Sequence, residues 1–415
     1  MKTESLEAEI IAVGTELLTS SRIETNSLFL AGKLNELGIL VSRKVVVGDW
    51  PERIAAALRA AMGSSQIVMF TGGLGPTSDD ITREVVAETL SRTLRLDSTV
   101  VEDLETRYHR FGFKMTDNNL RQAMVPAGAQ VLKNGKGTAP GLFLKEGEVL
   151  IFLLPGPPRE LRPMTEEQVI PLIRKHKRSS PRPFRRLRVA SLAESHVDSR
   201  VEPLYRAYPQ IETTILSSPG VVDLFFSWRG QDDGPAKQQL DELDNRVRQE
   251  LGVSIFSDQD EALEGALGRI LRQKNLTLAT AESCTGGLVS KLITDVPGSS
   301  DYFLGGVVGY SNGVKNRLLG VDQSSLDGCG AVSREVAIEM AAGACREVGA
   351  DLGLSITGIA GPDGGTRDKP VGTVFFGLFD RGRAQVKQRQ MPGDRETIRL
   401  RSARFGLDWL RRHLL

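Results

Sequence analysis

The chain has 415 residues, 53 Lys and Arg against 52 Asp and Glu for a net charge of +1, and 25% charged and 40% hydrophobic residues. At about 150 residues per domain this length predicts two to three domains, each able to bury a core without disulfides or structural metal, and excludes a single small binding module. The near-neutral balance gives no global reason for a nucleic-acid or membrane partner, and MKTESLEAEIIAVG, with no basic stretch leading into a long apolar run, reads as the start of a cytoplasmic protein.

From residue 8 short apolar runs alternate with helical patterns: EIIAV, TNSLFLAGKLNELG, VSRKVVV, PERIAAALRAAM and QIVMF. Strand, helix, strand, helix, strand implies a parallel sheet with helices on its faces. Pro51 suits a first helical turn, and Ile54, Leu58 and Met62 recur at four-residue spacing. The last strand of this domain is VLIFLL, which stops at Pro155-Gly156-Pro157-Pro158.

Residues 174–188, RKHKRSSPRPFRRLR, hold eight Lys or Arg and no acid, and mark a domain boundary. With no pattern of interleaved aromatics for base stacking, Phe184 standing alone, the run reads as a solvated linker rather than a nucleic-acid contact. Beyond it come strand (LRVASL), helix (HVDSRVEPLYRAY), two strands (IETTIL, VVDLFFSW), helix (AKQQLDELDNRVRQEL) and strand, a small α+β domain. A helix, EALEGALGRILRQKN, then opens a second α/β alternation: LTLATA, a helix from Gly286, YFLGGVVGY, a helix from Ser333, DLGLSIT and VGTVFFGLF. The closing helix carries Ala403, Leu407, Leu410 and Leu414 on one face. The expected fold class is therefore two three-layer α/β domains joined by a small α+β domain, over 1–172, 173–257 and 258–415.

Three cysteines (Cys284, Cys329, Cys345) and four histidines, none in a zinc-ligand spacing, argue against a disulfide framework and against an N/S metal site. Any metal would be held by oxygen. In TGGLGPTSDDIT (71–82), Gly72, Gly73 and Gly75 lie between a strand end and a helix start, where backbone N–H groups can meet a phosphate. Asp79 and Asp80 would repel that phosphate unless a divalent cation such as Mg²⁺, Mn²⁺ or Co²⁺ lay between. The plainer alternative is that one aspartate caps the helix. Glu16, after the first strand, falls at the same carboxyl edge of the sheet.

TGGLGPTSDDIT, with GTELL, TNS (25–27), GTAPG (137–141) and LPGPPREL (154–161), resembles the MoaB/MogA-like molybdopterin-binding domain as it occurs in the CinA family, competence/damage-inducible protein A. The resemblance implies a nucleotide-type pocket with metal-dependent ADP-ribose pyrophosphatase activity. It carries metal and pyrophosphate binding to Glu16, Gly72, Gly73, Asp79 and Asp80, with Asn26 and Gly141 nearby. The chain departs from the family at SSRIETNS, which lacks the glycine that usually precedes this stretch. The middle segment, with AES at 193–195, resembles the family's KH-like linking domain.

In the last domain LTLATA leads into Glu282-Ser283-Cys284-Thr285-Gly286-Gly287, a hydroxyl and a thiol before a helix whose N–H groups are expected to face outward. Either side chain could be a nucleophile there. With histidine nearly absent, serine activated by lysine or tyrosine is the workable arrangement, and YSNGVK supplies Tyr310 and Lys315. Taken singly, Tyr310 reads as an aromatic cap and Lys315 as a solvated helix residue. SITGIAGPDGG could present backbone N–H groups to an oxyanion, and Arg395 and Arg399, four apart on a helix that Asp394 caps, could clamp a phosphate.

AESCTGG, PGSS, YSNGVKNRLLGV, GAVS, SITGIAGPDGG and KPVGTV closely resemble the CinA C-terminal domain, the nicotinamide-nucleotide amidase. The resemblance implies hydrolysis of nicotinamide mononucleotide (NMN) to nicotinate mononucleotide and ammonia, without a cofactor, in pyridine nucleotide salvage. It makes Ser283 the nucleophile and Tyr310 and Lys315 its activators; Ser300, Thr357 and Gly358 contact the amide, and Arg399 and Arg395 hold the phosphate. It also implies a homodimer, with NMN and ADP-ribose as the ligands. The competing readings are a molybdopterin- or nucleotide-binding protein, or a DNA-uptake accessory, without catalysis at the N-terminal site.

Overall fold

The computed structural model describes residues 6–20, 22–110, 112, 114–177, 183–230 and 234–415. Ser21, in SSRIETNS, and Arg182, in the basic run, lie outside the described residues. The chain divides into two compact units, Met1–Arg182 and Pro183–Leu415.

The first unit is built on a six-stranded sheet in the order Leu40–Val47, Glu7–Val13, Ile67–Thr71, Val149–Leu154, Gly141–Glu146, Gln130–Leu132. The first four strands are parallel, as the alternation of strands and helices predicts, and the last two return antiparallel. Alternate residues of each strand feed opposite cores. Ile11, Val13, Val68, Phe70 and Leu153 pack with Ile54 and Leu58 of helix Pro51–Ser64. Ile10, Met69 and Phe152 pack with Leu30 and Leu34 of helix Asn26–Glu36 on the other face. This is a three-layer α/β unit. Helix Asn26–Glu36, which follows the first strand, and helix Thr82–Thr89, which follows Ile67–Thr71, pack on opposite faces although their strands are neighbours. The two connections diverge and open a crevice at the carboxyl edge of the sheet.

The second unit holds two sheets. Ile211–Ser218, Val221–Trp228, Phe184–Ala190 and Ile255–Ser257 form an antiparallel sheet whose Leu187, Leu224 and Trp228 pack under helices Glu194–Tyr205 and Ala236–Leu251. The other sheet runs Phe303–Val308, Leu278–Glu282, Leu352–Gly358, Thr373–Asp380, Arg383–Gln390, with the first three parallel and the rest antiparallel. One face packs on helices Leu263–Lys274 and Arg395–His413, the other on Arg334–Val348. Ala190, Val221 and Phe256 of the antiparallel sheet enter the first of these cores, so the α+β segment shares apolar burial with the C-terminal sheet.

Two details of the C-terminal sheet and its helices differ from the sequence reading. The polar edge strand Arg383–Gln390 was not foreseen, because its mostly exposed residues carry no apolar alternation. The helix expected from Gly286 starts at Leu288, because Gly286 (φ +59°) and Gly287 (φ +92°) are left-handed and cannot belong to it.

Candidate functional site

At the carboxyl edge of the first sheet lies a cavity of about 500 Å³ lined by Glu16, Asn26, Gly72, Gly73, Asp79 and Asp80 among others. The structure thus brings together all the residues singled out in this domain except Gly141, which begins a strand and does not line the cavity. The glycine loop has no room for side chains. A Cβ on Gly72 (φ +101°) would sit 2.2 Å from the Val13 carbonyl oxygen, and one on Gly73 (φ +67°) 2.1 Å from Thr82 Oγ1. Thr82 Oγ1 donates to Gly72 O at 3.0 Å, and buried Arg83 donates through Nη2 to Leu74 O at 2.8 Å, so the loop is held from the helix that follows it. Asn26 Nδ2 donates to Thr71 Oγ1 at 2.8 Å and to Gly156 O at 2.7 Å, tying two sheet-edge loops together.

Neither aspartate caps the helix. The N-cap of Thr82–Thr89 is Ile81, with no side-chain cap, and the Asp80 carboxylate instead accepts from the Thr77 N–H at 3.0 Å and from the Thr77 hydroxyl. Glu24, Asp49 and Glu160 also line the cavity, with Arg22 as the one cationic side chain there among the described residues. Glu160 is buried and accepts from Asn134 Nδ2 at 2.8 Å; it stands in LPGPPREL, but a lone carboxylate among prolines gives no signal by itself. Six carboxylates against one guanidinium would repel a free phosphate. Among the described residues no three carboxylate, thiol or imidazole groups converge tightly enough to hold a metal ion alone. A divalent ion here would take one or two of the carboxylates and complete its shell with ligand oxygens and water, the habit of Mg²⁺.

In the second unit the inner strand Leu278–Glu282 ends at Ser283, whose N–H donates to Ile356 O of the neighbouring strand at 2.9 Å. Helix Asn312–Leu319 begins at Ser311, whose side chain accepts from Val314 N, and turns Lys315 inward. Lys315 is 1% exposed, the opposite of a solvated helix residue. Its Nζ donates to Ser283 Oγ at 3.1 Å and Gly309 O at 2.7 Å. Burial pushes its pKa down, and it forms no ion pair with a carboxylate among the described residues. Burial, with the Glu282 charge beside it, pushes the Cys284 thiol up to about 12, which keeps it protonated. All three cysteines carry free thiols.

The remaining residues separate. Tyr310 is 63% exposed, and its hydroxyl accepts from Arg395 Nη2 at 3.1 Å; Lys315, rather than Tyr310, is hydrogen bonded to Ser283. Arg395 also donates to Gly361 O at 2.7 Å, and Arg399 to Cys284 O at 3.2 Å and Thr285 O at 2.7 Å. The two arginines brace the loops around Ser283 from a helix that Asp394 does cap. Thr357 donates to Ala331 O at 2.7 Å, and a Cβ at Gly358 would meet Thr373 O at 2.8 Å, so both residues at the end of this strand are packed against their neighbours. Ser300 is not brought to the site within the chain. It precedes strand Phe303–Val308, whose Phe303 pairs with Leu278, and so lies at the amino edge, the length of a strand away from Ser283. The expectation that the helix N–H groups face outward is also corrected: those of Gly287, Val289 and Ser290 are taken by the Glu282 carboxylate at 3.0, 3.0 and 2.8 Å.

Both units match known families. Residues 9–175 match the family described as "Probable molybdopterin binding domain", and 260–414 the CinA C-terminal domain. A CinA-like protein of Koribacter versatilis is 44% identical over 98% of this chain and 100% of its own length. The chain belongs to the CinA family. A CinA-like protein of Dictyoglomus thermophilum is 40% identical over 99% of the chain and 100% of its own. The solved structure of CinA from Thermoplasma acidophilum, 34% identical, covers 40% of this chain and 98% of its own, with a TM-score of 0.38.

Three arginines of the basic run at the boundary are spent on ion pairs. Arg185 pairs with Asp241, Arg186 with Asp223 and Asp260, and Arg188 with Asp223. No helix among the described residues is long and apolar enough to cross a membrane.

Proposed function

We propose that this CinA-family chain is an NMN deamidase with Ser283 as nucleophile and Lys315 as its base. The observation that carries the reading is the 3.1 Å contact between Ser283 Oγ and a buried lysine that has no carboxylate partner among the described residues. A lysine with a depressed pKa can take the serine proton as Oγ attacks the carboxamide carbon. Collapse of the tetrahedral adduct breaks the C–N bond, and the proton on Lys315 leaves with the amine as ammonia. Water then cleaves the nicotinoyl ester on Ser283, giving nicotinate mononucleotide and restoring the hydroxyl. Arg395 and Arg399, with N–H groups beyond those given to backbone carbonyls, are the side chains offered to the 5′-phosphate.

The test is ammonia release from NMN in the presence of chelator. Wild-type protein should release it, and Ser283→Ala should lose at least ~10³-fold. Acylation found on Cys284 instead of Ser283 would overturn the assignment.

For the first unit we infer metal-dependent cleavage of ADP-ribose, supported by the locked glycine loop and the excess of carboxylates in its cavity. A divalent ion held by Asp79, Asp80 or Glu16 would supply charge neutralisation for a pyrophosphate. The chain's own part is to orient that group on the N–H groups of the loop from Gly73 to Gly75, the Gly72 N–H being given to Leu154 O at 3.0 Å. Asp80→Asn should abolish metal-stimulated ADP-ribose cleavage and spare NMN deamidation. Tight molybdopterin binding with no cleavage of ADP-ribose would favour the second reading, which the family description of residues 9–175 supports.

A further inference from the structure

Glu282 is 1% exposed and immediately precedes Ser283, yet among the described residues its carboxylate forms no ion pair. All its described hydrogen bonds run to the first turn of helix Leu288–Thr294. Oε2 accepts from the N–H groups of Gly287 and Val289, each at 3.0 Å, and Oε1 from Ser290 N at 2.8 Å and Ser290 Oγ at 2.7 Å. The orphan donors of that turn, and the positive end of its dipole, are satisfied by a residue five to eight positions upstream.

The consequence for Ser283 is geometric. Between Glu282 and Gly287 the chain makes a turn through two left-handed glycines, Gly286 (φ +59°) and Gly287 (φ +92°), closed by Gly286 N donating to Ser283 O at 3.1 Å. One end of this turn is fixed by Ser283 N on Ile356 O, the other by the Glu282 carboxylate on Gly287, and Arg399 holds the carbonyls between. Because a carboxylate already fills the helix terminus, its N–H groups are closed to a reacting oxyanion. A turn with free ends would scatter Ser283 Oγ over several rotamers; a clamped one leaves it on Lys315.

We propose that Glu282 is a positioning residue of the C-terminal site: its buried carboxylate clamps the nucleophile turn so that Ser283 Oγ stays on Lys315 Nζ, and it touches no substrate. This rests on the serine-amidase reading of the same site. The charge of Glu282 adds to burial in keeping the neighbouring Cys284 thiol protonated, which leaves the hydroxyl as the nucleophile of the pair.

The test is Glu282→Gln in the full chain, which keeps the shape and removes the charge and half the acceptors. Two readouts separate positioning from folding. With NMN, kcat should fall about 10- to 100-fold while KM stays within about twofold, since a misplaced nucleophile slows chemistry without touching binding. Independently of NMN, a fluorophosphonate reagent should phosphonylate Ser283 in wild type, read by intact mass, and about 10- to 100-fold more slowly in Glu282→Gln. The same substitution on a Ser283→Ala background should change nothing further. Equal labelling and equal kcat in a folded Glu282→Gln protein would overturn the role of Glu282 alone. Labelling of Ser283 in wild type without ammonia release would overturn the NMN reading and leave Glu282 to be judged by the labelling rates. Absence of Ser283 labelling in folded wild type would overturn both.

Discussion

Lys315 sits among backbone carbonyls and one hydroxyl, and an ammonium in that setting is poorly solvated. The native state therefore holds its proton less tightly than the unfolded chain, whose lysine titrates near the ordinary 10.5. In the window between the depressed value and 10.5, unfolding takes up a proton, so this group's contribution to stability rises with pH and is lost as pH falls through the window. Activity should follow the same direction: kcat/KM for NMN rises with pH through a limb below 10.5, as neutral lysine becomes available. Lys315→Met should lower ammonia release by more than ~100-fold and leave the melting temperature of its unit unchanged or higher, because the buried cation is removed. Lys315→Arg should not rescue, since guanidinium cannot give up its proton at these pH values. A melting temperature well below wild type for Lys315→Met would show that its hydrogen bond to Gly309 outweighs the desolvation it suffers.

Two elements carry most of the remaining precision. The glycine loop before helix Thr82–Thr89 is packed so closely that Gly72→Ala would drive a methyl into the Val13 carbonyl at a left-handed φ. The strain alone costs about 1–3 kcal/mol, and the expected result is loss of the N-terminal activity with NMN turnover unchanged. Helix Arg395–His413 works differently. Its first turn braces the Ser283 loop, and its last turns hold a buried ion pair, Arg411 Nη2 to Asp408 Oδ1 at 2.7 Å, both at most 3% exposed. Asp408→Ala leaves Arg411 buried without its partner and should destabilise this unit by about 3–5 kcal/mol in urea unfolding, with Arg411→Met in the same chain recovering part of the loss. The apolar face of this helix was legible from Ala403, Leu407, Leu410 and Leu414 at helical spacing. The pair was not, because nothing in the local sequence tells a buried aspartate from an exposed one.

At the scale of the whole molecule the chain is two compact units, and the candidate amidase residues all lie in the second. A fragment beginning at Pro183 is expected to fold and to release ammonia from NMN at the full-length rate, and one ending at Lys177 to release none. Size-exclusion chromatography, circular dichroism and the ammonia assay check both. The α+β segment belongs in the active fragment because Ala190, Val221 and Phe256 share a core with the C-terminal sheet, and Arg411 and Arg412 donate to Val253 O and Ala190 O. The predicted boundary near 257 does not reveal that sharing. A composition break marks where the chain leaves one fold, whereas burial between successive segments depends on which residues meet in space.

What the sequence determined by itself is the alternation of strands and helices and the position of both glycine-bearing loops at strand ends. Apolar periodicity and glycine placement act locally, so they are readable without knowing what packs against them. The pairing of Ser283 with Lys315 was legible only as a shortlist, since hydroxyl, thiol, tyrosine and lysine all stood near strand ends. Tertiary structure decided among them. It buried Lys315 and turned it to Ser283, left Tyr310 in solvent with Arg395, put Ser300 at the far edge of the sheet, and spent the helix terminus on Glu282. Each of these depends on strand order and on burial, which set solvation and distance between residues far apart in the chain, and neither quantity is a property of a residue and its sequence neighbours alone.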